Sequence, residues 1–85
     1  MKVQETIRAK LQGAFSPEAL EVIDESHHHA GHAGARPEGE THFRVRMKAP
    51  SFAGVSRVQR SRLVHQALAA ELAGPVHALA LELSE

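Results

Sequence analysis

At 85 residues the chain has material for one domain, because a polypeptide of this size buries only roughly 60 to 65% of the surface its unfolded form exposes and a second core is excluded. Cysteine is absent, so no disulfide, thiolate nucleophile or thiolate metal site comes from this chain alone, which fits a reducing compartment. Ten acids balance ten bases, which excludes a strong overall pull on nucleic acid, and aromatics make up only 4% of the residues, so the interior is built from Leu, Val, Ile and Ala with no deep ligand cavity.

Val3, Ile7 and Leu11 recur every four residues, and Ala14 and Phe15 complete the stripe, so residues 2–14 read as an amphipathic helix that Ser16 and Pro17 end. Acids and bases sit within that helical pattern, unlike a signal peptide, and no apolar run approaches the roughly 20 residues of a membrane span. The expectation is a soluble, cytoplasmic protein. Residues 19–24 (ALEVID) form a first strand, with Leu20 and Val22 on one face. Residues 42–48 (HFRVRMK) alternate as a second, half-exposed strand. Phe43, Val45 and Met47 lie on one side; His42, Arg44, Arg46 and Lys48 lie on the other.

Pro50 and Gly54 mark a turn over residues 49–55, which Phe52 anchors to the core. Ser56 is placed to cap the longest helix, residues 56–73, on which Val58, Leu63, Val64, Ala67, Leu68 and Leu72 form the apolar stripe. Gly74 and Pro75 end it. Residues 76–83 (VHALALEL) read as a third strand whose alternation sets His77, Leu79, Leu81 and Leu83 on one face. The order α-β-β-α-β predicts an α/β (α+β) two-layer sandwich over residues 1–85. In its three-stranded mixed sheet the first two strands pair antiparallel and the helical crossover joins the second and third in parallel.

One connection does not fit an ordinary hairpin. Residues 25–41 read ESHHHAGHAGARPEGET, and a loop of that length in a compact domain is functional or disordered. Four of the seven histidines fall in it, at 27, 28, 29 and 32. Neutral imidazole is a good ligand for iron, zinc, copper or nickel, but a durable site fixes three or four ligands through outer hydrogen bonds. On spacing alone the loop therefore reads either as a solvated, adventitious metal binder or as part of a built site. His77 is equally open. It reads as a structural histidine at the rim of the core, or as a side chain projecting into solvent at the mouth of the loop.

The stretches LEVIDES (20–26), GETHFRV (39–45), Phe52-Ala53-Gly54 and VHALAL (76–81) together resemble the BolA-like proteins, with consistent spacing over nearly the whole chain. The resemblance implies a fold similar to class II KH domains. It also implies a heterodimer with a monothiol glutaredoxin that holds a [2Fe-2S] cluster between a glutaredoxin cysteine, glutathione and histidine from the BolA side. The isolated chain would hold no cluster and would be a monomer or weak homodimer. In that family the histidine opening the last strand is the recurrent ligand, which matches His77. The second ligand comes from the long loop and matches His29 in the pattern E-S-x-x-H, with His28 and His32 as credible substitutes. Histidine is accepted in place of thiolate on one iron of such clusters, so a cysteine-free chain completes a cluster only with a partner. Members commonly carry R-H-R in the middle helix; this chain has Arg60-Ser61-Arg62, which puts a partner or nucleic-acid contact there in doubt. The sequence closes at Glu85, so contacts made by the C-terminal tails of some members are not expected.

Two functions follow as expectations. The first is an adaptor in iron-sulfur trafficking or iron sensing. The second is a DNA-binding regulator, since some members act on transcription and residues 41–70 hold six bases and no acid: Arg44, Arg46, Lys48, Arg57, Arg60 and Arg62. Against the second, there is no Gly-x-x-Gly loop and no exposed aromatic platform for bases. An enzyme is not expected, because no catalytic triad, phosphate-cradling loop or carboxylate pair is evident. His42 and His65 read as exposed positions without a chemical role.

Overall fold

The computed structural model of the protein describes residues 2–26 and 39–85. Helix α1 (Val3–Phe15) buries Ile7 and Leu11 completely, the two positions that its four-residue apolar spacing puts on one face. It stops where Ser16 turns into the left-handed region (φ 45°) and donates its amide to Gln12, and Pro17 cannot continue the ladder. Strands β1 (Ala19–Asp24) and β2 (His42–Lys48) pair antiparallel from Ala19 opposite Lys48 to Asp24 opposite Phe43. Strand β3 (Ala78–Ser84) pairs parallel to β2, from His42 opposite Ala78 to Lys48 opposite Ser84. The sheet order is β1-β2-β3, so β2 is central and both neighbours share its register.

That register builds the core in rows. Val22, Val45 and Leu81 stand side by side, as do Leu20, Met47 and Leu83, against Ile7, Leu11, Val64 and Leu68 of the helical layer. Phe52, in a 3-10 turn over Pro50–Phe52, is fully buried, with its ring 5.2 Å from that of Phe15. Ser56 caps the next helix by accepting the Gln59 amide at 3.2 Å. The expected two-layer arrangement, strand order and pairing are all present. Among the described residues no helix is long and apolar enough to cross a membrane.

Two departures from expectation exceed a shift of one residue. The single helix over residues 56–73 is two: α2 (Arg57–Ala67) and α3 (Ala69–Ala73), separated at Leu68, whose backbone (φ −106°, ψ 20°) leaves helical geometry. The Leu68 side chain is 1% exposed, and the redirected last turn brings Glu71 to Lys10 on α1, Nζ to Oε2 2.8 Å. Burial of one leucine and a cross-helix ion pair thus accompany the local break. The third strand also starts at Ala78 instead of Val76. Pro75 has no amide hydrogen and the Val76 amide donates to the Glu71 carbonyl, closing the helix end instead of entering the ladder.

Candidate metal-ligand site at the loop base

The two feet of the histidine loop meet at one end of the sheet, where β1 leaves and β2 begins. Asp24, the last residue of β1, accepts the Ser26 amide (2.9 Å) and the Ser26 hydroxyl through Oδ1, and the Glu40 amide (3.1 Å) through Oδ2. Ser26 Oγ in turn accepts the amides of Thr41 (2.8 Å) and His42 (3.1 Å). Ser26 is 5% exposed and Thr41 fully buried, so this is an internal clamp. Left-handed backbone at Gly39 (φ 76°) and Glu40 (φ 61°) turns the returning foot into it. Glu40 then reaches α1, its Oε2 accepting the Gln4 amide at 3.1 Å, while Gln4 Nε2 donates to the Val22 carbonyl. The stretches 20–26 and 39–45 are therefore two halves of one hydrogen-bonded base.

His77 stands beside this base. Its amide donates to the Thr41 carbonyl at 2.7 Å, and the same carbonyl receives Ala78 at 3.2 Å, so His77 is the last residue before β3 and its backbone is fixed to the start of β2. Its side chain is exposed. Of the two readings the sequence left open, solvent projection at the loop mouth is the one the structure has. His27, His28, His29 and His32 lie outside the described residues.

His42 was missed. Strand alternation puts it on the outer face with Arg44, yet it is half-buried, its Nδ1 hydrogen-bonded to Thr41 Oγ1 (2.8 Å), and its ring lies stacked on that of His77, centroids 6.3 Å apart at an interplanar angle of 21°. The available signal was a histidine at the head of each of two strands expected to run parallel. His65 is exposed on α2, its Nδ1 bonded to the Ser61 carbonyl, far in sequence and element from this base. Among the described residues no group of three or more His, Asp or Glu side chains converges as a metal site.

The six bases do not form one free cationic face. Arg44 donates to Glu25 (3.0 Å) and Glu82 (2.9 Å), and Arg46 to Glu82 (3.3 Å) and Glu21 (3.5 Å). Hydrogen bonds from Arg44, then Arg46, hold the Glu82 carboxyl below the usual carboxylate range; Arg44 is held more firmly charged by its bonds to Glu25 and then Glu82, and Arg46 by its bond to Glu82. Lys48 lies 3.7 Å from Glu18. Arg60 is packed inward, its side chain 13% exposed, with Nε donating to the Val55 carbonyl and the guanidinium 5.7 Å from the centre of the Phe52 ring. Arg57 and Arg62 are exposed and carry no ion pair among the described residues.

Residues 11–85 match the family described as BolA-like protein. BolA-like protein 1 of Mus musculus is 56% identical over 80 residues, covering 94% of this chain and 56% of that protein. The DNA-binding transcriptional regulator BolA of Escherichia coli is 43% identical over 81 residues, 95% of this chain and 73% of that protein. The solved structure of BolA1 from Arabidopsis thaliana superposes with a TM-score of 0.88 at 37% identity, covering 99% of this chain and 92% of that one. The chain thus spans little more than half the length of the mouse protein it resembles.

Proposed function

Since the chain belongs to the BolA-like family, we propose that it is an iron-sulfur adaptor, supplying His77 and one of His28, His29 and His32 to a [2Fe-2S] cluster shared with a monothiol glutaredoxin and glutathione. The observation that carries this reading is the exposed His77 imidazole, anchored through its own amide to Thr41 at the base from which the histidine loop departs. Such a cluster, when bound, supplies transferable iron and sulfide and one-electron redox chemistry. This chain's part is ligation and orientation. Imidazole suits iron, and the sulfur ligands must come from elsewhere because the chain has no cysteine. The clamp at Asp24 and Ser26 keeps Ser26 and Thr41, which bracket the histidine stretch, together beside the His77 backbone.

The test mixes the chain with a monothiol glutaredoxin, glutathione, iron and sulfide and records visible circular dichroism for wild type and His77→Ala. Loss or reshaping of the cluster bands in the variant is expected. An unchanged spectrum removes His77 as a ligand and the mechanism with it.

A second reading is kept by one observation: a relative of this chain is named a DNA-binding regulator. With Arg44, Arg46 and Lys48 facing carboxylates and Arg60 packed on Phe52, Arg57 and Arg62 are the bases of that set left for phosphate. Two phosphate contacts give a log-log salt slope of about −2. Duplex binding with such a slope, lost in the Arg57→Ala/Arg62→Ala double variant, is the result that supports this reading.

A further inference from the structure

We propose that His42 is a positioning residue for His77, its ring fixing the orientation in which the His77 imidazole is presented; the inference rests on the reading of His77 as a ligand. Metal-bound histidines are ordinarily oriented by a hydrogen bond to their second ring nitrogen. The His77 side chain makes no such bond among the described residues, and its ring contact there is the face of His42, 6.3 Å between centroids and 21° from parallel.

His42 is suited to this because it is itself held on three sides. Its Nδ1 is bonded to the hydroxyl of fully buried Thr41 (2.8 Å), its amide to Ser26 Oγ (3.1 Å), and its position opposite Ala78 is set by the parallel ladder. The Thr41 carbonyl takes the His77 amide at 2.7 Å, so backbone and ring of His77 are both referred to the dipeptide Thr41-His42. Ser26 binds the amides of that same dipeptide. One hydrogen-bonded unit therefore joins the two feet of the loop and sets the ring that faces His77. The two rings lie near parallel at a separation that fits an offset arrangement, so a flat ring at position 42 keeps the effect and a methyl group does not.

The test uses wild type, His42→Ala, His42→Phe and His77→Ala. In the apo protein, inter-ring proton contacts of His77 and its side-chain couplings are read by nuclear magnetic resonance. In the complex with glutaredoxin and glutathione, the half-life of the cluster bands is read after adding a chelator. The expected result is a single His77 rotamer in wild type and in His42→Phe, rotamer averaging in His42→Ala, and cluster loss about tenfold faster in His42→Ala with near wild-type persistence in His42→Phe. Wild-type rotamer and half-life in His42→Ala, with His77→Ala losing the bands, overturn the positioning role and leave His77 a ligand. Bands unchanged in His77→Ala overturn both. Should the alanine variant fail to fold, His42→Leu takes its place: rotamer averaging of His77 with cluster loss about tenfold faster supports the role, and a wild-type rotamer and half-life overturn it.

Discussion

Ser26 and Thr41, fifteen positions apart in sequence, are joined by a 2.8 Å hydrogen bond from the Thr41 amide to the Ser26 hydroxyl, which closes the histidine loop at its base. The hydroxyl also accepts the His42 amide and donates to Asp24, so its removal leaves two backbone donors without this acceptor. Ser26→Ala is expected to cost about 1–3 kcal/mol. Urea unfolding measures the loss, and hydrogen exchange at the Thr41 and His42 amides should quicken. An unaltered midpoint with unaltered exchange refutes the clamp.

Gly39 and Gly13 make an opposed pair. A methyl group on Gly39 meets Asp24 Oδ2 at 3.3 Å, and its φ of 76° strains any L residue by about 1–2 kcal/mol, so Gly39→Ala destabilises and disturbs the base. Gly13 lies in the helical run of α1 with nothing within 4 Å of an added Cβ. Gly13→Ala is expected to stabilise by about 0.5–1 kcal/mol. Thermal midpoints that move the same way for both substitutions contradict this.

Glu71 is 9% exposed and its carboxylate is met by Lys10 on α1. Lys10→Met leaves that buried carboxylate without its cation and is expected to cost about 1–3 kcal/mol, while the double change Lys10→Met/Glu71→Gln recovers part of the loss. A double-mutant cycle in urea measures the coupling, and a zero coupling energy sinks the assignment.

The outer face of the sheet gives a pH dependence. Glu82 has a folded-state pKa held below its unfolded value by Arg44 first and Arg46 second. A depressed folded pKa contributes stability that is present above the unfolded carboxylate's pKa and is lost as pH falls through the folded one. Wild type should exceed Glu82→Gln in stability at neutral pH, and the two should converge in acid. Added salt should narrow the neutral-pH gap, because all three side chains are well solvated. Parallel stability curves at every pH exclude the effect.

Where an element is governed by its own periodicity, the sequence was enough. Ile7 and Leu11 recur at helical spacing, Phe43, Val45 and Met47 alternate, and both patterns are decided by burial of one face. Where the outcome depends on a distant partner, it was not. Leu68 breaks its helix next to a cross-helix pair with Lys10, and Val76 gives its amide to Glu71 instead of the ladder. The run of bases reads as free for phosphate because cross-strand register, which sets Arg46 between Glu21 and Glu82, is not written in any single strand. His42 was passed over for the same reason: its neighbour His77 is brought alongside only by the parallel pairing of β2 with β3.

Asp24, Ser26, Glu40 and Thr41 fasten the two feet of the loop to each other, and Glu40 ties them to α1, through bonds that involve none of positions 27 to 38. Doubling the length of a flexible connection costs only about 0.6 kcal/mol. A different segment grafted between Ser26 and Gly39 should therefore be carried by the same scaffold, so that the chemistry of the connection and the stability of the protein can be altered independently.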